Sequence, residues 1–394
     1  MQRLMAYTEK IKKNRALCIF GYALIIRVIF YLVSVCMMAV VGDYSNGITF
    51  SDFLDAWKRW DSAPYLRIAE NGYRGYQENG QFLDIVFYPL YPWLIRIVNV
   101  FVGEFRLAGI FVSTVCFGIG SVYFDKLVTE EFGQEAAENG YLALIAFPFA
   151  FFFGAVMTES LFFAVSAAFL YYLRKHRWWL VCGIGFLACL TKIQGVLLCF
   201  AVLAELLYSE KGFTLLKEKD WKALGSKVIG NGLKCVPMIG GVLVYLLLNY
   251  LVEGDAFKFM YYQEHHWNHT AGPFWDAVRY SGEYAKGSWY TSTGMGLWVP
   301  QFLLFFVSLA MIIYGFVKKM RPTYQMYLIV FTLVTYSSTW LISGGRYTLS
   351  ALPLFMLWGK LYTEHKWLKK VLLPFSFALM MIYLVGYFQW KQIM

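Results

Sequence analysis

Apolar runs long enough to cross a bilayer recur along the whole chain, and no other feature restricts its folding as much. A helix needs about 20 apolar residues to span the hydrocarbon, where every backbone N–H and C=O has to find its partner inside the protein. Candidate spans lie near 17–41, 107–127, 140–157, 159–173, 178–191, 194–208, 235–252, 298–317, 323–342, 347–362 and 371–390. With 59% hydrophobic and only 15% charged residues and a mean hydropathy of +0.50, the 394 residues predict an all-α polytopic membrane protein. About eleven transmembrane helices are expected in one domain, residues 1–394, with no internal repeat or linker.

The formal charge of +10 fits this class, because Lys and Arg gather in cytoplasmic loops of membrane proteins; nucleic acid is not expected as a partner. Arg3, Lys10, Lys12, Lys13 and Arg15 precede an apolar run too long for a signal-peptide core, so the first segment is expected to stay as an anchor. The seven cysteines lie in or beside apolar runs without paired spacing and read as small core residues.

Residues 85–103 are also apolar, and counting them as a span would reverse the side of everything downstream. Laid along the outer surface instead, they leave 1–16, 174–177, 209–234, 318–321 and 363–370 inside, so every strongly basic short loop is cytoplasmic. The acidic loop with Glu130, Glu131, Glu135 and Glu138 then also falls inside. Two long segments face outward: 43–105, with the surface-lying helix, and 253–296, rich in Trp, Tyr, His and Gly. Leu215, Leu216, Trp221 and Leu224 alternate with lysines as in an amphipathic helix on the inner face, although a solvated connector explains them equally well.

On this topology Asp61 in Arg59-Trp60-Asp61, Thr158-Glu159-Ser160, Thr191-Lys192-Ile193-Gln194-Gly195 and Ser343-Gly344-Gly345-Arg346-Tyr347 all face one side. Each has a plain structural explanation: an acid at a helix start is favoured by the helix dipole, and Lys192 or Arg346 could snorkel to the interface. Charges at membrane depth nevertheless cost a few kcal/mol each on insertion scales, and three insertions on one face point to a shared polar site. Arg346 would offer a planar fork and Lys192 a point charge to a lipid phosphate. Asp61 would be the general base for an attacking hydroxyl. Arg27, midway along the first span, has no identifiable partner in the sequence.

No Gly-rich nucleotide loop is present, so a nucleotide-sugar donor is not expected. His265, His266 and His269 lie close together, but a metal site would need further ligands; surface or substrate contacts are the preferred reading, with no metal and no cofactor expected.

Six motifs in order carry a family resemblance: Arg59-Trp60-Asp61 through Gly72-Tyr73, Phe87-Tyr88-Pro89-Leu90-Tyr91-Pro92, Thr158-Glu159-Ser160-Leu161, Thr191-Lys192-Ile193-Gln194-Gly195, Phe259 with Gln263 and Trp267, and Arg346-Tyr347 with Leu349 and Pro353. The chain resembles the PIG-V family, the GPI mannosyltransferase 2 group and its prokaryotic relatives, within the GT-C membrane glycosyltransferases. That resemblance implies a GT-C-like fold with juxtamembrane helices in the first outer loop. It implies inverting transfer of mannose from a polyprenyl- or dolichyl-phosphate donor on the exoplasmic face. Asp61 takes the catalytic place, and Arg59, Trp60, Tyr65, Glu159, Lys192, Gln194, Gln263, Trp267, Arg346 and Tyr347 are the expected substrate contacts. Lys192 stands where Arg is expected in many relatives. The acceptor could be a glycolipid, a glycan or a protein hydroxyl, and membrane lipids are further partners. The setting is expected to be a prokaryotic plasma membrane, or the endoplasmic reticulum in a eukaryote. A transporter or flippase of an anionic lipid or sugar phosphate is the alternative, and would call for polar residues at both faces and a repeated architecture.

Overall fold

The computed structural model describes residues 2–42, 47–209 and 211–393, with side chains from Asn14 onward apart from Phe213. The side chains of Arg3, Lys10, Lys12 and Lys13 lie outside the described residues. Helices account for nearly all the described chain, and the only strand-like pairings among these residues are two isolated bridges, Glu78 with Gln81 and Ala271 with Ser338. The all-α expectation is met.

Among the described residues, five helices have the length and apolarity to cross a membrane: Asn14–Val41, Phe105–Phe132, Trp221–Glu253, Gly294–Val317 and Lys366–Phe388. The other expected spans appear as shorter helices, including Glu159–Arg174, Trp178–Thr191, Pro322–Tyr336 and Leu352–Glu364. Leu90–Val102 has 13 residues, about 20 Å of helix, too short for a hydrocarbon core of about 30 Å. It buries Tyr91, Pro92 and Ile95 while Phe101 is 86% exposed, as suits a helix lying at a membrane surface. Arg96 ties it to the helix Ser62–Asn71 by donating to the Ala69 and Glu70 carbonyls at 2.7 and 2.9 Å.

Two expectations need correction. The span near 140–157 is a helix only over Gln134–Ile145, followed by a 3-10 turn at Ala150–Gly154. Pro148 has no N–H to donate and disfavours helical backbone at Phe147. Irregular backbone at membrane depth survives only where the protein itself satisfies it. Here Ser160 donates to Phe153 O at 2.6 Å, Tyr31 to Gly154 O at 3.0 Å, Ser113 to Ala155 O at 2.8 Å and Arg27 to Ala150 O at 3.3 Å. This is the partner that the sequence did not reveal for Arg27, whose guanidinium also lies 4.2 Å from the Phe117 ring centroid. The second correction concerns the inner-face helix. Leu215 and Leu216 sit in a short helix, Gly212–Lys217, but Trp221 and Leu224 begin the long helix that continues to Glu253.

The basic loops and the acidic loop meet at one end of the bundle. Arg15 binds Asp125 at 2.6 Å, Arg174 binds Glu131 at 2.5 Å, Lys175 binds Glu130 at 2.7 Å and Lys366 approaches Glu135 at 3.7 Å. The acids that look misplaced by charge counting are therefore counterions of the basic loops. Fully buried Glu205 accepts from Arg321 at 2.5 and 2.9 Å, Ser209 at 2.7 Å and Thr323, with His176 at 2.8 Å. Four of the seven cysteines are buried, while Cys18 and Cys36 are exposed on the first helix and Cys199 is half-buried; the core-residue expectation holds only in part.

Candidate active site

Asp61 occupies the N-cap position of the helix Ser62–Asn71 but makes no capping hydrogen bond. An N-cap aspartate ordinarily accepts from the amide two or three residues on, and here the third residue is Pro64, which has none. The carboxylate turns instead to Arg346, with Asp61 Oδ2 2.7 Å from Arg346 Nη1. Trp60, just before it, has a φ of 51°, a left-handed conformation uncommon for a bulky residue, which redirects the chain at the acid.

Glu159 is the first residue of the helix Glu159–Arg174 and is 2% exposed. Its Oε1 lies 3.3 Å from Lys192 Nζ and 3.5 Å from Arg346 Nε. The result is a chain of alternating charge: Asp61, Arg346, Glu159, Lys192. Glu159 Oε2 has no hydrogen-bond partner among the described residues, so this cluster keeps acceptor capacity in hand. At the opposite end Glu205 is enclosed by donors from four residues.

Local backbone requirements place each cation. Lys192 is extended between the helix Trp178–Thr191 and a 3-10 turn, Ile193–Leu197. The turn closes with Gly195 N–H donating to Lys192 O at 2.9 Å. A Cβ on Gly195 would fall 2.4 Å from the Ala188 carbonyl, so only glycine permits the approach. Arg346 sits in the short helix Gly344–Thr348. Gln301 fastens that turn, accepting from Gly344 N–H at 3.2 Å and donating to Ser281 at 2.7 Å and Leu341 O at 3.0 Å. Gly345 lets the Phe149 ring approach to within 2.4 Å of where a Cβ would stand.

Tyr65 is buried beside the cluster, its ring edge-on to Phe87 at 5.1 Å and Tyr91 at 5.3 Å. Burial raises its pKa above that of an ordinary phenol, and the charges of Asp61 and Glu159 add to this, so it stays protonated. The Phe87-to-Pro92 motif thus acts through packing: Tyr88 stacks on Tyr245 at 3.9 Å, and Tyr91 bonds Ser113 at 2.7 Å. Tyr347 lies below both cations, 5.4 Å from the Arg346 guanidinium and 6.0 Å from Lys192 Nζ.

The structure therefore brings together Asp61, Tyr65, Glu159, Lys192, Arg346 and Tyr347. Arg59 and Trp60 form an adjoining cluster with Trp390. Gln194 is half-buried in the turn after Lys192. Gln263 and Trp267 lie on the helix Lys258–Trp267, whose Tyr262 packs with Ile68, Tyr73, Leu83 and Ile85 and whose His266 is 2.7 Å from Gln81. The three histidines take separate surroundings, His265 against Tyr261 O at 2.9 Å and His269 half-buried in the following loop. Sequence reasoning missed Met157, whose sulfur lies 3.3 Å from Arg346 Nη1, and Gln301. Gln301 could have been noticed as a polar residue inside an apolar run; nothing singles out Met157.

This is an integral, multi-pass membrane protein with the GT-C fold. Its helices superpose on a crystal structure of ArnT from Cupriavidus metallidurans bound to undecaprenyl phosphate, with a TM-score of 0.54, 14% identity, and coverage of 95% of this chain and 77% of that one. ArnT from the same organism in the apo state gives a TM-score of 0.50 at 16% identity, covering 82% of this chain and 60% of that one. At such identities the likeness is one of fold. Residues 88–229 match the family described as dolichyl-phosphate-mannose-protein mannosyltransferase, a segment that includes Glu159 and Lys192 but neither Asp61 nor Arg346. No curated protein sequence matches the chain.

Proposed function

We propose that this chain is an inverting glycosyltransferase that moves a sugar, mannose by its PIG-V-like motifs, from a polyprenyl- or dolichyl-phosphate to an acceptor hydroxyl on the exoplasmic face. The observation that carries the reading is the Asp61–Arg346–Glu159 chain, in which one guanidinium is shared between a half-exposed carboxylate and a buried one. The family match over residues 88–229 and the likeness to a protein solved with undecaprenyl phosphate support a lipid-phosphate donor.

In the reaction Asp61 accepts the acceptor hydroxyl's proton as that oxygen attacks the anomeric carbon. The carbon–oxygen bond to phosphate breaks on the opposite face, and its electron pair leaves with the phosphate. Arg346 and Lys192 balance the charge gathering there, and Glu159 holds both cations at the required depth. The side chain of Asp61 is 36% exposed and that of Glu159 2%, which suits the first to meeting a hydroxyl and the second to positioning. The setting is a prokaryotic plasma membrane, or the endoplasmic reticulum in a eukaryote.

The test is transfer of radiolabelled mannose from synthetic polyprenyl-phosphate mannose to a crude lipid and glycan extract by purified protein. Label moved by the wild type and not by Asp61→Asn is the expected result. Folded wild type that transfers neither mannose nor any other sugar from a panel of lipid-phosphate donors would overturn the reading.

A further inference from the structure

Next to the charge cluster, on the side where Trp60 leads into Asp61, Asp55, Lys58, Arg59, Trp60, Ala63 and Trp390 line a cavity of about 490 Å³, within the range of about 300–1,000 Å³ usual for small-molecule sites. Two of its walls are tryptophans that meet edge to face, with ring centroids 5.9 Å apart. Both have left-handed backbone, φ 51° at Trp60 and φ 57° at Trp390. At Trp390 this is the left-handed residue that ends the helix Lys366–Phe388, closed by Lys391 N–H donating to Gly386 O at 2.9 Å.

The pair is also braced. The Arg59 guanidinium lies 4.0 Å from the Trp390 ring centroid and donates to Phe388 O at 3.2 Å. Asp55 is fixed from behind by Arg106 at 2.9 Å. Trp390 is nevertheless 56% exposed, and the Trp60 indole N–H has no hydrogen-bond partner among the described residues. A held aromatic surface and a carboxylate beside two cations match the chemistry of a sugar ring. Its C–H faces pack on indole, and its hydroxyls both donate and accept.

We propose that this cavity is the acceptor subsite and that it takes a neutral carbohydrate ring, with Trp390 as a binding residue. The acceptor class for Asp61 is then a glycan or glycolipid headgroup, not a protein side chain. The proposal rests on the reading of Asp61 as the base only for what happens after the sugar is bound.

The measurement is saturation-transfer NMR on the full-length protein in nanodiscs, with mannobiose, cellobiose and chitobiose as probes. Saturation of ring C–H protons is expected with wild type, is reduced at least fivefold in Trp390→Ala, and is retained in large part in Trp390→Phe, which keeps an aromatic face. Equal saturation in wild type and Trp390→Ala, or none from any probe with wild type, overturns the subsite. Thermal melts of the three proteins separate loss of the site from loss of the fold. Sugar binding that depends on Trp390 with no lipid-phosphate-dependent transfer would retain the subsite and reject the glycosyltransferase reading. Transfer with an acceptor KM unchanged in Trp390→Ala would do the reverse.

Discussion

Asp61 and Arg346, 285 positions apart in the sequence, form an ion pair of 2.7 Å. The same guanidinium reaches Glu159 at 3.5 Å. A cation divided between two acids can shift toward a third anion without leaving either acid isolated. The Asp61 carboxylate is thereby held against a cation that it shares with Glu159.

Asp61→Asn keeps the shape of the side chain and removes its basicity. Transfer is expected to fall by about 10²–10⁴, the usual contribution of general base catalysis, with little change in melting temperature because the side chain is partly exposed. Single-turnover transfer from polyprenyl-phosphate mannose, with a thermal melt beside it, checks this. Activity within a factor of three of wild type would rule out the base.

Glu159→Gln leaves Lys192 and Arg346 buried with one counterion fewer. Removing one partner of a buried pair costs about 3–5 kcal/mol, so a clear drop in thermal stability is expected along with lost transfer. Adding Lys192→Met should return part of the stability, because a cation without its acid is removed too, and none of the activity. Recovery of transfer in the double variant would show that the two residues serve folding alone.

Glu205→Gln makes the contrasting case. Its carboxylate is enclosed by Arg321, Ser209, Thr323 and His176, and a loss of about 3–5 kcal/mol is again expected. Here the rate per folded molecule should stay as in the wild type, since this network lies at the other end of the bundle. A lower kcat in the properly folded fraction would mean that the two ends are coupled.

Gly345→Ala forces a Cβ to within 2.4 Å of the Phe149 ring. Overpacking of this kind costs about 1–3 kcal/mol. It should also lift Arg346 away from Asp61, raising the donor KM. Phe149→Leu in the same chain removes the clash and is expected to restore both quantities; failure to do so would place the effect of Gly345 elsewhere.

Much of the molecule was legible from residue order alone. Apolar length predicts membrane helices because unpaired backbone is too costly in lipid, and the Trp60-Asp61, Glu159, Lys192 and Arg346 motifs stand out because charge is costly there too. The sidedness of the basic loops argues against counting 85–103 as a span, and the helix found there, Leu90–Val102, has 13 residues. Only tertiary structure decided that the run near 140–157 breaks at Pro148, since hydropathy counts side chains and not the hydroxyls and guanidinium that take up the released carbonyls. It also decided that Glu130, Glu131 and Glu135 neutralise basic loops, and that Trp390 lines a cavity with Trp60. Those outcomes depend on which distant side chains meet. Sequence periodicity records the face a residue presents and the medium it prefers; the partner it finds across more than a hundred positions is set by the packing of the whole bundle.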